Sequence, residues 1–307
     1  MREVTTAAGL RTTAVILAGG VGLIFATIPG PKAPPHVDVS MSATGVRVSG
    51  GPDVAAGWMK FRIKSQSGVH HLWLISPTEG PRADIATPTN GIRSLWSVNP
   101  ANPSSGAAAT PGHPRADPTT VASYQHAAQD NLVSLGGARV DAKHPTTITV
   151  DLPAGDVWLE DLEAPAAPPT VLHVHWGKYL PLPARPSGRI TEGDDNYLFA
   201  PSVLPHNGTV ELENADDVET GYHFLLLRAI LPSASREEVV RFFSDGGGPN
   251  PFAPGGAAMA APLSAGQSQF LGYSLPAGQY AVIDAWMDPT TGRILAGEGA
   301  VTTLRLK

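Results

Sequence analysis

Residues 274–288, SLPAGQYAVIDAWMD, combine a Pro-Ala-Gly turn with a strand in which apolar side chains recur. The same arrangement occurs earlier in the chain, in residues 151–162, DLPAGDVWLEDL. Each copy follows a short strand-like run, at 269–273 and at 147–150. A turn and strand that recur in this way indicate that the chain is a tandem duplication of one β-domain.

The similarity between the two halves extends upstream of these turns. In each half, a strand with alternating side chains precedes a more apolar strand. The two pairs of strands are 57–63 with 70–75, and 208–213 with 222–228. This alignment places His71 opposite His223. Short strands separated by turns are typical of sandwiches, so we predict an all-β fold of two Greek-key β-sandwich domains with short helical excursions.

Two helices are predicted. One covers 118–135 and ends at a Gly-Gly cap. The other begins at Ser235, which forms a capping box with Glu238. We interpret 181–189 as a linker and 250–261 as a loop, because both are rich in Pro or Gly and lack periodicity.

Composition excludes several classes of protein. The 307 residues are 42% hydrophobic and include 33 Gly and 30 Pro, which fits many short strands joined by turns. A formal net charge of −6 argues against a surface that binds nucleic acid. The chain contains no cysteine. Disulfides, thiolate metal sites and cysteine nucleophiles are therefore excluded.

The N-terminal region, residues 1–35, differs from the rest. Residues 12–31 carry no charge and follow Arg2 and Arg11, and a Pro-rich linker comes after them. This pattern is typical of an export signal peptide or a membrane anchor, and both alternatives remain open. Either one would place the folded part outside the cytoplasm, and an uncleaved segment would attach it to the membrane.

The order of features in the second half resembles the bacterial cupredoxin-like domain. A strand that begins at His223 is followed by a short helix, a Gly-Gly loop, a Leu-x-x-Gly-x-Tyr hairpin at 275–280 and a closing strand at 299–306. The resemblance covers the second half well and the first half more loosely. It implies two tandem cupredoxin-like domains, at 36–185 with a long insertion and at 186–307.

The same resemblance bears on copper. Copper-carrying cupredoxins hold the metal with a His that opens a strand and with a Cys, a His and often a Met before the last strand, a set that suits copper. His223 occupies the first position, whereas Asp284 lies where the resemblance implies the Cys. The loop 286–298 contains no His, and its one sulfur side chain is Met287. A type 1 (blue) copper site is therefore excluded.

A set of histidines in the first half is the candidate metal site. His173 and His175 lie two residues apart on one face of a strand, and His71 lies beside His70 on an apolar strand. Three imidazoles that meet at one point would hold Cu(II) or Zn(II). The alternative is that His71 is hydrogen-bonded within the fold while His173 and His175 face water.

Acidic residues are grouped at 160–163 and at 213–219. We interpret them as solvated charge on turns and strand edges, because carboxylates are mostly exposed in proteins. The sequence contains neither a Gly-x-Ser-x-Gly motif nor a phosphate-binding loop. No catalytic residues are predicted.

We therefore predict an exported or membrane-anchored, non-catalytic binding or interaction protein without a cofactor. Its partner would be an extracytoplasmic protein or a small ligand, held by the long loops at 77–131 and 249–262. The alternative is an extracytoplasmic copper- or zinc-binding protein, a carrier or a mononuclear copper enzyme, that uses His71, His173 and His175.

Overall fold

Strands dominate the structure, as the sequence predicts. The computed structural model describes residues 35–49, 53–78, 86–99, 116–164, 166–180, 185–193, 197–216, 221–244 and 247–307. The predicted export or anchor segment lies outside these ranges, as do large parts of the long insertion in the first half. Within the described ranges, no helix has the length and apolar character needed to cross a membrane.

The elements of the first half are eight described strands with two helices between the fourth and fifth. The strands are β1 (His36–Ser42), β2 (Gly45–Ser49), β3 (Asp53–Ser65), β4 (Val69–Pro77), β5 (Leu132–Asp141), β6 (Thr146–Leu152), β7 (Gly155–Asp161) and β8 (Thr170–Leu180). The helices are α1 (Ala86–Val98) and α2 (Pro118–Asn131).

The described part of the second half has nine strands and two helices. The strands are β9 (Gly188–Gly193), β10 (Tyr197–Phe199), β11 (Val203–Leu204), β12 (Asn207–Asn214), β13 (Leu225–Ile230), β14 (Phe252–Met259), β15 (Ser268–Ser274), β16 (Gly278–Asp284) and β17 (Val301–Leu306). The helices are α3 (Arg236–Phe243) and α4 (Leu295–Glu298).

The described strands form two sheets. The larger has 12 strands in the order β10-β9-β12-β15-β6-β3-β8-β7-β4-β5, with β1 and β2 attached at β3. The smaller has five strands in the order β11-β17-β16-β13-β14. Strands β6 and β15 pair with each other, so residues of both halves share the larger sheet. The all-β fold with few short helices is confirmed, and the domain boundary at residue 185 stays a prediction.

The two Pro-Ala-Gly turns form, but neither closes a hairpin. The turn of the first half leads from β6 to β7, which do not pair, and the turn of the second half leads from β15 in the larger sheet to β16 in the smaller. Gly155 has a φ of +125°, a left-handed conformation that strains residues with a Cβ. The repeated motif therefore redirects the chain between non-adjacent strands, as Greek-key connections do.

The helix predicted at 118–135 is shorter in the structure. It ends at Asn131, and β5 follows at once. Gly136 and Gly137 lie inside β5, where they pair with β4, and they do not cap the helix. A Cβ on Gly137 would lie 1.9 Å from the carbonyl oxygen of Leu72, so this close approach of two strands requires glycine.

Two segments predicted to be irregular contain strands, whereas the predicted capping box is confirmed. Residues 250–261 contain β14, and 181–189 overlaps the start of β9. Pairing with neighbouring strands overrides the weak strand propensity of Gly and Pro in these segments. At the start of α3, the Ser235 side chain accepts from the Glu238 backbone N–H at 3.2 Å, and the Ser235 N–H donates to the Glu238 carboxylate at 2.8 Å.

Two clusters of buried apolar side chains fill the fold. One includes Phe61 and Val210 of the larger sheet. The other surrounds Trp73, Trp96 and Phe224 and receives side chains from α1, α2 and α3. The second cluster packs against the buried His71, because Trp96 and Phe224 both contact its imidazole ring.

Candidate metal centre

A buried histidine and aspartate meet at the end of the smaller sheet. His223 precedes β13, and Asp284 is the last residue of β16. Nδ1 of His223 is hydrogen-bonded to Oδ2 of Asp284. The other oxygen, Oδ1, accepts from the backbone N–H of Phe224 at 3.2 Å and of Trp286 at 2.9 Å. These contacts hold the Asp284 carboxylate in one orientation.

Asp216 approaches the same imidazole ring at its other nitrogen. It follows β12, and its Oδ2 lies 2.6 Å from Nε2 of His223. Burial by itself lowers the pKa of His223, but the carboxylates of Asp284, Glu192 and Asp216 together raise it well above the ordinary value. In the absence of any other cation, the ring is held as an imidazolium between two aspartates.

Glu192 completes this buried cluster. It lies on β9 of the larger sheet, and the residue is 1% exposed. Glu192, His223 and Asp284 each offer one ligand atom within 4.8 Å of the other two. Within the described structure, Oε1 of Glu192 has no hydrogen-bond partner. Leaving a buried carboxyl oxygen unpaired costs about 1–3 kcal/mol.

The surroundings of Glu192 favour the neutral form of its carboxyl. Burial raises the pKa of its carboxyl well above the ordinary value, and the nearby Asp284 carboxylate raises it further. The His223 imidazolium opposes this rise, and the Asp216 carboxylate adds to it. Three acidic side chains thus surround one imidazole ring in the described part of this cluster.

The donor atoms of this cluster suit a divalent metal ion. Carboxylate oxygen and imidazole nitrogen are ligands of Zn²⁺ and Mn²⁺. In the described parts of the chain, Glu192, His223 and Asp284 form the one group of three or more such residues with ligand atoms within 4.8 Å of one another. With its Nε2–H donated to Asp216, His223 would present Nδ1 to an ion, an arrangement common around metal ligands. The cluster does not fit blue copper, because it has no thiolate.

The first half contains a matching histidine and aspartate. Nδ1 of His70 lies 2.5 Å from Oδ2 of Asp161, and Nε2 of His70 lies 2.8 Å from the carbonyl oxygen of Ser67. Oδ1 of Asp161 accepts from the backbone N–H of His71 at 3.1 Å and of Glu163 at 3.0 Å. The protein itself thus satisfies both side chains, unlike the cluster in the second half.

Strand register shows which histidines correspond. The two aspartates lie opposite Leu72 and Leu225 in their strand pairs, and the histidine of each pair lies two residues before its leucine. His70 therefore corresponds to His223, and the predicted match of His71 with His223 is wrong by one residue. A shift of one residue along a strand places a side chain on the opposite face of the sheet, so His70 and His71 lie in different environments.

His71 lies in the core. Its side chain is fully buried, and Nε2 donates to the carbonyl oxygen of Ala260 at 2.8 Å. Its ring centroid lies 4.4 Å from that of Trp96. Burial lowers the pKa of His71 to about 3, a shift that the hydrogen bond to Ala260 opposes and the charge of Arg139 reinforces. His71 is therefore neutral at physiological pH.

His173 and His175 lie on β8 and are exposed. Nδ1 of His173 lies 2.7 Å from the Asp156 carboxylate, and Nδ1 of His175 donates to the carbonyl oxygen of Trp176 at 3.1 Å. The neighbouring Trp176 is also exposed, at 88%. The structure does not bring His71, His173 and His175 together as a group of metal-ligand spacing.

Glu192 and two buried aspartates are not evident as site residues from the sequence. Ile190 and Glu192 are the inward-facing positions of β9, and a charged residue that alternates with a buried apolar one is the signal that could have indicated Glu192. Asp161 and Asp216, interpreted as solvated charge, are 3% and 7% exposed. They are buried because each is paired with an imidazole ring, which offsets the cost of removing a carboxylate from water.

Acid should destabilise the fold through His71. Its pKa returns from about 3 to 6.5 on unfolding, so stability that is complete above pH 6.5 falls as the pH drops towards 3. The loss approaches ~1.4 kcal/mol per pH unit. In urea titrations at pH 7 and pH 4.5, we expect wild-type protein to lose more unfolding free energy than His71→Gln, which keeps a donor for Ala260.

The control for this experiment is His144→Gln, because the His144 side chain is 77% exposed. This variant should follow the wild-type pH dependence. Equal acid sensitivity of wild type and His71→Gln would show that His71 does not carry the effect.

No protein-family profile and no curated protein matches the sequence. Among solved structures, the chain is similar to reduced auracyanin from Roseiflexus castenholzii, with 13% identity, coverage of 39% of this chain and 94% of that one, and a TM-score of 0.26. It is also similar to a multicopper oxidase, with 11% identity, 92% coverage of each chain and a TM-score of 0.24. For the blue copper oxidase from Nitrosomonas europaea, identity is 11%, coverage 90% and 86%, and the TM-score 0.21. The neighbours are thus cupredoxins and multicopper oxidases, and similarity this low says nothing about metal or activity.

Proposed function

We propose that this chain is a cupredoxin-like protein that binds one divalent metal ion through Glu192, His223 and Asp284 outside the cytoplasm. The buried carboxyl of Glu192 carries this proposal. Its Oε1 has no hydrogen-bond partner within the described structure, and one oxygen of this carboxyl lies within 4.8 Å of ligand atoms of His223 and Asp284. A bound cation would supply the missing partner.

Charge balance supports the same function. Glu192, Asp216 and Asp284 are buried around one imidazole ring. Buried charges in proteins are paired or coordinate metals. An ion with two positive charges would balance the carboxylates of Glu192 and Asp284, while His223 would remain hydrogen-bonded to Asp216.

The ligands come from different parts of the fold. Glu192 lies on β9 of the larger sheet, whereas Asp284 lies on β16 of the smaller sheet and His223 just precedes β13. An ion held by all three would cross-link the two sheets. Metal binding should therefore also stabilise the folded protein, because the site does not exist in the unfolded chain.

Action outside the cytoplasm is supported by the N-terminal sequence. The uncharged residues 12–31 follow two arginines, as they do in signal peptides and membrane anchors. Cleavage would release the protein, and retention would leave it attached to the membrane with the metal centre on the outer side.

Calorimetric titration of the purified full-length chain with Zn²⁺, after treatment with a chelator, tests the proposal. We expect one equivalent to bind with a Kd of about 1 μM or lower, which corresponds to about −8 kcal/mol. His223→Gln should remove this binding, because it takes away the only imidazole of the cluster. The double variant His173→Ala/His175→Ala is the control and should bind as wild type does.

The reverse pattern would overturn the assignment. Binding that persists in His223→Gln but disappears in the His173/His175 variant would place the metal at the exposed histidines of β8. In that case the buried cluster would have no role in metal binding.

A second candidate is a non-catalytic interaction protein that uses no metal. The pair of His70 and Asp161 favours it, because hydrogen bonds from the protein satisfy this pair without an ion. His223 would then remain an imidazolium between Asp216 and Asp284, and the long loops would bind the partner. Failure of both Zn²⁺ and Mn²⁺ to bind the folded wild-type chain would favour this candidate.

A further inference from the structure

We propose that the Glu192, His223 and Asp284 centre selects ions by charge and hardness, so that it takes Zn²⁺ or Mn²⁺ but not Cu(I). The inference rests on the proposed function and names the class of ion that the site accepts. It implies that copper cannot cycle between its two oxidation states at this position, although the fold is that of copper proteins.

The chemistry of the donor atoms favours a divalent ion over Cu(I). The ligand atoms at 4.8 Å spacing are two carboxylate oxygens and one imidazole nitrogen. Cu(I) is bound by soft thiolate and thioether sulfur, whereas carboxylates suit harder divalent ions. The chain has no cysteine, so no thiolate is available to the site.

The charge of the two buried carboxylates also favours a divalent ion. Glu192 and Asp284 are each 1% exposed, so water cannot screen a charge that remains on them. A divalent ion cancels the two carboxylates. A monovalent ion leaves one buried negative charge, and Asp216, 7% exposed and bonded to the other side of the His223 ring, makes that excess less favourable.

The fixed position of the Asp284 carboxylate also favours a divalent ion. The two backbone N–H groups that donate to its Oδ1 hold this carboxylate beside the ring, where the cupredoxin resemblance implies a thiolate. The centre thus presents a fixed hard oxygen donor beside the imidazole, and such a donor favours divalent ions over Cu(I).

Anaerobic competition with a chromophoric chelator for each ion tests the inference on the full-length chain. We expect Zn²⁺ and Mn²⁺ to bind at one equivalent and Cu(I) to bind roughly 1,000-fold more weakly than Zn²⁺, as expected when one buried charge stays unbalanced. Glu192→Gln should remove Zn²⁺ binding. The His173→Ala/His175→Ala background removes adventitious binding at the surface.

Two results would overturn the inference, and they are distinguishable. Cu(I) binding as tight as Zn²⁺ binding, lost in Glu192→Gln or in Met287→Leu, would contradict the selectivity while leaving metal binding at the centre intact. Failure of the wild-type chain to bind Zn²⁺, Mn²⁺ or Cu(I) would overturn both the selectivity and the proposed function.

Discussion

Replacing Glu192 by glutamine is expected to remove divalent-metal binding and, at the same time, to stabilise the metal-free protein. Glutamine keeps the size and shape of the side chain but cannot ionise. The affinity for Zn²⁺ should fall by more than about 100-fold, because loss of an outer-shell partner alone costs 10–100-fold.

The gain in stability follows from the raised pKa of Glu192. A carboxyl with a pKa above its unfolded value contributes stability that is complete below pH 4.5 and is lost as the pH rises towards the folded pKa. The loss is about 1.4 kcal/mol per pH unit in that window. Glutamine has no such dependence, so the variant should be the more stable protein at neutral pH and should show little difference near pH 4.

Thermal unfolding of both proteins, with and without Zn²⁺, checks this prediction. Without the ion, Glu192→Gln should unfold at a higher temperature than wild type at pH 7. With Zn²⁺ at about 100 times the wild-type Kd, wild type should gain about 2.7 kcal/mol and the variant less than about 0.4 kcal/mol. Glu237→Gln, on the exposed face of α3, is the control for neutralising a glutamate and should neither raise the unfolding temperature nor change the response to Zn²⁺.

A variant that is less stable than wild type in both conditions would contradict the expectation for Glu192. It would mean that the carboxyl serves the fold itself and that its buried position does not reflect a metal ligand.

Asp284→Ala is expected to cost about 3–5 kcal/mol of unfolding free energy, the range for removing one partner of a buried ion pair. The change leaves His223 without its partner at Nδ1 and leaves the backbone N–H groups of Phe224 and Trp286 without an acceptor. Domains of ordinary size are stable by only about 5–15 kcal/mol, so partial unfolding is expected at 37 °C.

Urea titrations of a small set of variants measure this effect. Asp284→Asn keeps an oxygen that accepts from the two N–H groups, so we expect a smaller loss of stability together with full loss of Zn²⁺ binding. Asp161→Ala removes the same contacts in the first half and should cost a similar amount without affecting Zn²⁺ binding.

Asp156→Ala is the matched control, because its partner His173 is exposed. Such a pair contributes about 1 kcal/mol or less. Equal and small losses of unfolding free energy in Asp284→Ala and Asp156→Ala would contradict the structural role assigned to the buried Asp284.

The local features of the fold can be predicted from the sequence. The alternating strands, the turns at Pro-Ala-Gly and the capping box at Ser235 follow from short-range preferences, and they occur where predicted. The errors involve pairing between distant segments. β14 is not evident because its Gly and Pro residues form a strand only against β13. Neither turn makes a hairpin, because β6 and β7 pair with other strands of the larger sheet and β15 and β16 belong to different sheets.

Part of the candidate site can also be predicted from the sequence. The sequence places His223 near the start of a strand, the cupredoxin resemblance implies a copper ligand at the position of Asp284, and the absence of cysteine excludes blue copper. It offers no means of choosing between His70 and His71 as the counterpart of His223. Adjacent residues of a strand point to opposite faces, so strand register had to decide.

By itself, the amino-acid sequence determined the all-β class, the repeated turn and strand, and the absence of any thiolate chemistry, because these depend on composition and on neighbouring residues. Only the tertiary structure decided that Glu192, His223 and Asp284 meet, that His71 is a neutral core residue, and that His173 and His175 face water. Residues so far apart in the chain come together through the packing of two sheets. Burial, which sets the charge and the pKa of each group, is a property of that packing.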